Sequence, residues 1–320
     1  MNKIPNLHQC LLISIIGCLL MSCGTSGTSS SSSQATIEAI SLQNTALALQ
    51  ITQAAQNKPP TSTPQVEINP TIPSSHPTTL DDLRKGAKIL LYEDIAENTS
   101  GLERYVKSAL DEGGYSYLDS KGNQNQLKNQ ILGDVDWDLI IISAEATGRI
   151  PSEYFEYLVN HFQHGTALII EMWDLDDILY KKISTIPKVH WLMDTCGVEL
   201  QSDWYSPEVR DMWILAPQNP VMNVPNQISQ LDHAGIVWRG DIGDLLKIKR
   251  VNNQVIGDAT FLAGLTPANT SLNGMLTTCV GGRFIFQTFD SHEYKRVEMI
   301  NLWKNYIYHT LNNHFLSIVP

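Results

Sequence analysis

Short apolar runs alternate with amphipathic segments along the chain from Lys88 onward. Unbroken apolar runs predict buried strands, and these occupy Lys88 to Asp94, Tyr115 to Leu118, Trp137 to Ser143 and Ala167 to Glu171. The segments between them carry apolar residues three and four positions apart, which predicts intervening helices. Strands without polar alternation belong to parallel sheets covered on both faces. The pattern therefore predicts a doubly wound α/β fold with a mostly parallel sheet, for which flavodoxin-like strand order is the default.

The second half of the chain gives a weaker pattern. Short extended pieces follow a predicted helix at Val189 to Cys196, and they occupy Val198 to Leu200, Met212 to Ala216, Gly235 to Arg239 and Leu245 to Lys249. Residues 276–294 predict a β-hairpin with Gly281-Gly282 at its turn. Glu293 to Leu311 predicts a C-terminal amphipathic helix. Since no repeat or second linker interrupts this region, residues 80–320 are predicted to form one domain.

Residues 1–23 combine an early Lys3 with a short apolar segment, which is the layout of a secretory signal peptide. The apolar segment is too short for an ordinary membrane span. The residues Leu20 to Gly24 resemble the lipobox of bacterial lipoproteins, in which the cysteine is lipidated and becomes the mature N-terminus. This resemblance implies an extracytoplasmic protein anchored to the membrane through Cys23. A plain signal peptide is the alternative.

Residues 24–79 are rich in Ser, Thr and Pro and cannot bury enough apolar surface to fold, so they predict a flexible tether. Within the tether, apolar residues of the segment 37–56 are spaced three and four apart. This spacing predicts either a marginal helix or a short coiled coil.

Composition and charge exclude one class of partner. The chain carries a net charge of −11, with 22 Lys and Arg against 33 Asp and Glu, and no basic cluster. Because affinity for nucleic acid comes from basic residues that displace counterions from phosphates, nucleic acid is not expected as a partner.

Two cysteines, Cys196 and Cys279, remain once the leader and Cys23 are set aside. Export permits a disulfide between them, but their distance in sequence does not fix a geometry. The alternative is that both are small buried hydrophobic residues.

The order of elements, the phrases HGTALIIEMWD and GRFIFQTFDSHEY and the final helix resemble the class I glutamine amidotransferase-like superfamily, especially its ThuA-like, non-amidotransferase branch. The resemblance spans roughly Lys88 to Leu311. It implies a strand that ends in a nucleophilic cysteine on a tight elbow, but here Ala167 to Glu171 is followed by Met172-Trp173-Asp174. It also implies a His-x-Glu pair after a late strand, whereas this chain has His292 directly followed by Glu293.

Acyl transfer from glutamine needs a thiolate or an equivalent nucleophile held against a base. Neither Cys196 nor Cys279 follows the strand in question, and no G-x-S-x-G elbow occurs in the chain. Amidotransferase and serine hydrolase activity are therefore not expected.

Carboxylates follow three of the predicted strands, and ligands of open α/β sheets bind outside the carboxyl ends of the strands. The candidate ligand-binding residues are Glu93, Asp94, Glu145, Glu171, Trp173, Asp174 and His292. Such a set suits a divalent cation, sugar hydroxyls, or the acid and base of a glycoside hydrolase. The alternative is that these carboxylates complement helix dipoles or begin a solvated helix.

The tryptophans Trp173, Trp191, Trp204, Trp213 and Trp238 all follow the fourth strand. Flat aromatic faces beside carboxylates are typical of carbohydrate sites, although packing in the core is the alternative for most of them. The leading hypothesis is a lipid-anchored, non-catalytic binding or scaffolding module, with a glycan or another surface protein as its partner and no required cofactor, although a divalent cation fits. The other hypotheses are a carbohydrate hydrolase that uses Glu145 with Glu171 or Asp174, and a purely structural surface protein.

Overall fold

A computed structural model describes residues 79–95, 101–176, 187–205, 210–235, 237–238 and 241–318. The predicted leader, the lipidated Cys23 and the tether with its helix at 37–56 lie outside these residues and stay predictions. Within the described residues, no helix has both the length and the apolar character needed to cross a membrane.

The helices and strands of the described residues have the following bounds. The α-helices are α1 Leu80–Lys85, α2 Tyr105–Gly113, α3 Gln124–Ile131, α4 Tyr154–Gln163, α5 Pro187–Cys196 and α6 Arg296–Ile318. The strands are β1 Ile89–Glu93, β2 Tyr117–Asp119, β3 Leu139–Ser143, β4 Ala167–Glu171, β5 Val198–Tyr205, β6 Trp213–Ile214, β7 Asp241–Ile248, β8 Arg250–Val251, β9 Gln254–Val255, β10 Thr260–Gly264, β11 Gly274–Cys279 and β12 Phe284–Gln287. Short 3₁₀ turns occupy Pro220–Met222 and Ser291–Glu293.

The parallel part of the main sheet has the strand order β2-β1-β3-β4-β12. This is the flavodoxin-like arrangement, so the predicted fold class is confirmed. Every residue of β1, β3 and β4 is buried, as expected for strands covered on both faces. One face packs against α2 and α6, and the other packs against α3, α4 and α5.

An antiparallel part extends this sheet from β12 through β11 and β10 to β6, and β7 joins β5 to β11. The predicted C-terminal hairpin is confirmed as β11 and β12. Its turn contains Gly281 and Gly282, both with positive φ, a conformation that glycine adopts without steric cost.

Three details of the second half differ from the prediction. Strand β10 was not predicted, and α6 begins at Arg296 because Ser291–Glu293 first forms a 3₁₀ turn. Of the predicted strand from Gly235 to Arg239, the described Gly235, Val237 and Trp238 lie in irregular backbone. The reason is that the amides of Val237 and Trp238 donate to the Glu293 carboxylate and not to a neighbouring strand.

Cys196 and Cys279 form a disulfide, with their Cα atoms 5.2 Å apart. The bond decides between the two alternatives that the sequence left open. It joins the end of α5 to the end of β11. Because Cys279 pairs with Phe284 at the start of β12, the bond lies near the amino ends of the parallel strands, away from Glu171.

Candidate functional site

The predicted carboxylates meet at the carboxyl edge of the parallel strands. Glu93 pairs with Ser143 across β1 and β3, and Ser143 pairs with Glu171 across β3 and β4. The side chains point into the protein, since Glu93 and Glu145 are each 1% exposed and Glu171 is 0% exposed. The sequence therefore located this group of acids, but it indicated an open rim where the structure has a buried cluster.

Glu171 lies at the centre of a buried hydrogen-bond network. One carboxylate oxygen accepts from the Gln287 side chain at 2.9 Å, from the Ser291 amide at 3.0 Å and from the Ser291 hydroxyl. The other oxygen accepts from the Ser143 hydroxyl. Burial raises the pKa of Glu171 well above its ordinary value, and the nearby Glu145 carboxylate raises it further. Every oxygen of this carboxyl is thus occupied by the protein itself.

Two residues of α6 complete this network from the helix side. The Trp303 indole donates to the Ser291 hydroxyl at 3.1 Å, and the Tyr306 hydroxyl donates to the Gln287 carbonyl oxygen at 3.0 Å. Buried polar groups that have all their partners favour one specific packing. The network therefore fixes α6 and the Ser291 turn against the end of β4.

Glu145 and His292 form a buried pair. One Glu145 oxygen accepts from the His292 backbone amide at 2.7 Å and from the Trp238 indole at 3.1 Å, and the other faces His292 Nδ1 at 2.7 Å. His292 Nε2 faces the Glu103 carbonyl oxygen at 2.9 Å, and the ring stacks on Tyr105. Nε2 faces a backbone carbonyl, which only accepts, so Nε2 carries a proton, and an ionised Glu145 requires a proton on Nδ1 as well. The pair is an imidazolium and a carboxylate.

The pKa of His292 agrees with this assignment. Burial alone lowers the pKa, but the hydrogen bond and charge of Glu145 raise it, and the net shift is upward. The two ring nitrogens of His292 are both engaged, by Glu145 and by the Glu103 carbonyl. It therefore acts as a positive charge that compensates Glu145, with no nitrogen left to accept a proton.

Glu93 caps helix α2 from outside the helix. Its two oxygens accept from the amides of Val106 at 2.9 Å and Lys107 at 3.1 Å, in the first turn, where helical amides have no intrahelical partner. Arg104 Nε lies 3.1 Å from Glu93 and its terminal nitrogens donate to both oxygens of Asp119. Burial raises the pKa of Glu93 to about 7, although Arg104 opposes the shift.

Asp94 and Trp173 hold the loop that follows β3. Asp94 accepts from the amides of Ala146 at 2.8 Å and Thr147 at 2.9 Å, and also from the Thr147 hydroxyl. The Trp173 indole donates to the Glu145 carbonyl at 2.6 Å. This hydrogen bond fixes the position of the loop that carries Glu145.

Asp174 pairs with Arg149 of the same loop at 2.6 Å. The next two amides, of Leu175 and Asp176, donate to Asp244 of β7 at 2.6 and 3.1 Å. Burial, followed by the charge of Asp176, raises the pKa of Asp244 to about 8. Asp244 was not predicted as a site residue, because nothing in the sequence relates β7 to the end of β4.

Glu293 is a second residue that the sequence reading missed, and its side chain has no exposed surface. It accepts from the Val237 amide at 2.6 Å, while His233 Nε2 lies 2.8 Å and Arg210 3.4 Å from its carboxylate. The sequence suggested no partner for His233. The sequence feature that could have identified Glu293 is the pair of acidic residues Asp290 and Glu293, which come soon after the end of β12, where the strand leaves the core.

The chemistry open to this arrangement is limited. Cys196 and Cys279 form a disulfide and so offer no thiol, and the oxygens of Glu145 and Glu171 already accept from protein donors. Among the residues that the structure describes, no group of three or more His, Cys, Asp or Glu is arranged to hold a metal ion. As it stands, the cluster holds loops and helix ends in place.

No protein-family model matches the sequence, and no curated protein matches it. Solved structures are similar at low identity. The N-terminal domain of mmIFT52 has a TM-score of 0.43 and 12% identity, over 71% of this chain and 97% of that chain. A Thermoplasma acidophilum protein described as part of a GMP synthase has a TM-score of 0.40 and 10% identity, over 72% and 96%. PurLQS from Thermotoga maritima has a TM-score of 0.32 and 10% identity, over 71% and 97%. Likenesses at this level do not inform the chemistry of the chain.

The free energy of unfolding is expected to fall as the pH rises from about 5 to about 8. The pKa of Asp244 is raised to about 8 and that of Glu93 to about 7, so the folded chain keeps protons that unfolded carboxyls lose near pH 4. The stability that these raised pKa values contribute is fully present at low pH. It is lost as the pH rises through the pKa values of about 7 and about 8 that the two carboxyls have in the folded protein. His292, whose pKa is also raised, acts in the same sense. Urea titrations at several pH values measure the slope.

Two variants make this test specific. Asp244→Asn keeps an oxygen for the Leu175 amide but removes the proton, and is expected to flatten the slope. Asp134→Asn, at an exposed position, is expected to leave it unchanged. Burial lowers the pKa of His309, so below about pH 6.5 the unfolded chain binds a proton there more readily than the folded chain. This effect makes stability rise with pH, against the expected fall, but only below about pH 6.5. Stability that rose steadily from pH 6.5 to 8 would contradict the buried carboxyls.

Proposed function

We propose that this chain is a lipid-anchored extracytoplasmic protein whose α/β domain is a non-catalytic binding or scaffolding module. The observation that supports the absence of catalysis most directly is the state of Glu171, which ends β4 where the amidotransferase-like pattern has its nucleophile. Its carboxyl is buried and accepts four hydrogen bonds from the protein. A group with this environment has no free face for a substrate.

The disulfide supports the extracytoplasmic part of the proposal. Disulfides persist in oxidising compartments and are rare in the cytosol. The bond between Cys196 and Cys279 also removes both remaining thiols from the chemistry of acyl transfer.

Carbohydrate hydrolysis by Glu145 and Glu171 has less support from the same contacts. A glycosidase needs one carboxyl to protonate the leaving group and the other to attack or activate water at the sugar. Here Glu145 is paired with His292 and Glu171 is enclosed by hydroxyl and amide donors. The purely structural alternative is supported by the buried carboxylates, which hold loops and helix ends in place, and the thermal-stability screen described below decides between it and a binding function.

The anchor is tested by replacing Cys23 with alanine in the full chain, expressed in bacterial cells that are fed a labelled fatty acid. Cys23→Ala is expected to lose the label and leave the membrane fraction. The matched control Cys18→Ala, which lies within the predicted leader, is expected to keep both. Equal labelling of both variants would contradict lipidation at Cys23.

The binding function is tested by a thermal-stability screen of the full chain against oligosaccharides, Ca²⁺, Mg²⁺ and solubilised surface proteins. A ligand that binds the folded state raises the melting temperature by mass action. At least one such partner is expected. If none raises the melting temperature at saturating concentrations, the protein is structural and the binding proposal fails.

A further inference from the structure

The segment that follows β4 is held against β7 by one side chain. The amides of Leu175 and Asp176 donate to the same oxygen of Asp244, Oδ2, at 2.6 and 3.1 Å. Asp244 lies within β7, where its backbone amide donates to the Thr288 carbonyl and its carbonyl accepts from the Thr288 hydroxyl. The Asp244 carboxyl therefore joins the end of β4 to a strand that is itself fixed in the sheet.

The other oxygen of this carboxyl, Oδ1, is enclosed without a partner. Asp244 is 1% exposed, and within the described residues its Oδ1 has neither accessible surface nor a hydrogen-bond donor. A buried carboxylate that lacks donors for one oxygen loses much of its solvation, so its charged form is costly relative to the neutral carboxyl. The geometry alone thus favours a neutral Asp244.

Two carboxylates adjoin Asp244. Asp203 lies directly opposite it in the antiparallel pair of β5 and β7, and like charges in such positions repel. Asp176 adjoins it through the amide bond given above. Within the described residues, none of these three carboxyls pairs with a Lys, Arg or His. Ionisation of Asp244 therefore adds a third charge beside two that have no counter-charge.

The other groups around β7 bring no positive charge to balance this one, as far as the described residues show. Asp241 begins β7 and lies near the same acids. Asp174 is paired with Arg149. Strand β11 and Thr288, which also bond to β7, have no charged side chain, and the charges that act on Asp290, two positions beyond Thr288, are those of other acids.

The pKa values agree with a neutral carboxyl. Burial, followed by the charge of Asp176, raises the pKa of Asp244 to about 8, and burial, followed by the charge of Asp203, raises the pKa of Asp241 to about 7. An aspartate in solvent has a pKa of about 4. If the contact opens between about pH 4 and about pH 8, Asp244 loses its proton, so each pH unit favours the open form by up to about tenfold.

From these contacts we propose that Asp244 is a proton-controlled latch, which holds Leu175 and Asp176 against β7 while its carboxyl is neutral and releases them when it ionises. The preceding residues, Trp173 and Asp174, hold the loop that carries Glu145. The latch therefore controls how firmly that loop is held as the pH changes. It is independent of the proposed anchor and of the proposed binding function.

The test follows hydrogen exchange of the full chain by mass spectrometry between pH 5 and pH 9. After correction for the intrinsic rise of exchange with pH, the protection of the Leu175 and Asp176 amides is expected to fall by up to about tenfold per pH unit and to level off above about pH 8. The amide of Ile169, in the centre of β4, is expected to stay more protected at every pH, because it exchanges only when the domain unfolds.

Two variants act on the latch in different ways. Asp244→Asn keeps an oxygen for the amides of Leu175 and Asp176 but cannot ionise, so their protection is expected to become independent of pH. Asp203→Asn removes the opposing charge at an exposed position, where folding is not at risk. Since this lowers the pKa of Asp244, the levelling of protection is expected to move to a lower pH.

Asp258→Asn is the matched control. Asp258 is an exposed aspartate that also accepts from two backbone amides, those of Val280 at 2.6 Å and Gly281 at 2.7 Å. It lies in the hairpin at the other end of β11, away from the end of β4. Its replacement is expected to leave the exchange of Leu175 and Asp176 unchanged at every pH.

Three results would overturn the latch. The first is protection of Leu175 and Asp176 that does not change with pH after correction. The second is protection equal to that of Ile169 throughout, which would mean that the segment opens only with the whole domain. The third is wild-type pH dependence in Asp244→Asn. If that variant does not fold, an Asp203→Asn curve that coincides with the wild type overturns the latch instead.

Discussion

Replacing Glu145 with alanine is expected to lower the free energy of unfolding by about 3 to 5 kcal/mol. The change removes the carboxylate that accepts from the His292 amide, the His292 ring and the Trp238 indole. It leaves a buried imidazolium without its counter-charge, which costs far more than the loss of an exposed ion pair. Urea denaturation at pH 7, followed by tryptophan fluorescence, measures the difference.

The matched control is Glu153→Ala. Glu153 is an exposed glutamate of the same domain that pairs with Lys128 at 3.0 Å. Its removal is expected to have a much smaller effect, because solvent screens exposed pairs. If both variants unfolded at the same urea concentration, Glu145 and His292 would not form a buried pair in solution.

Removing the disulfide is expected to cost a similar amount. The bond joins residues separated by 83 positions, and a loop of that length gives about 4.5 kcal/mol in the chain-entropy treatment of the unfolded state. The double variant Cys196→Ala with Cys279→Ala is expected to show this loss in urea denaturation. Both sulfurs are also buried in the hydrophobic cluster on one face of the parallel strands, so the loss includes the packing of the two side chains.

A reducing agent provides the internal control for this variant. Dithiothreitol is expected to destabilise the wild type by a comparable amount and to leave the double variant unaffected. A wild type that is equally stable with and without reductant, and that yields two free thiols on unfolding without it, would show that the bond is absent.

The parallel half of the fold was predictable because its signals are local. The strands β1, β3 and β4 are continuous apolar runs, each separated from the next by residues with helical spacing, and chains of this kind have few alternative topologies. The hairpin of β11 and β12 was predictable for the same reason, since its glycines adjoin a strongly apolar strand. Local pattern sufficed wherever one element follows directly on another.

The antiparallel half was less predictable because its strands form non-local pairs. Strand β7 pairs with both β5 and β11, and β10 pairs with both β11 and β6. Gly243 shows how such pairing constrains the chain. A Cβ atom there would lie 2.0 Å from the Thr288 carbonyl, so only glycine allows the two segments to approach. A single glycine between Ile242 and Asp244 does not reveal this from sequence.

The site was predictable in position but not in environment. Strand ends locate Glu93, Glu145 and Glu171, because the carboxyl ends of parallel strands share an edge. Their burial depends on residues distant in sequence, since His292 lies 147 positions from Glu145 and Ser291 lies 120 positions from Glu171. Whether a strand-end carboxylate faces solvent or a turn from the other end of the chain is decided by tertiary packing.

The central claim is that the strand-end carboxylates are sealed within the folded protein. Carbodiimide coupling of a small amine, read by mass spectrometry of peptides, reports the accessibility of each carboxyl. In the folded chain the exposed Glu153 and Glu156 are expected to react, while Glu145 and Glu171 stay unmodified until urea unfolds the domain. Modification of Glu145 or Glu171 in the folded protein at the rate of Glu153 would contradict the sealed cluster and reopen the question of catalysis.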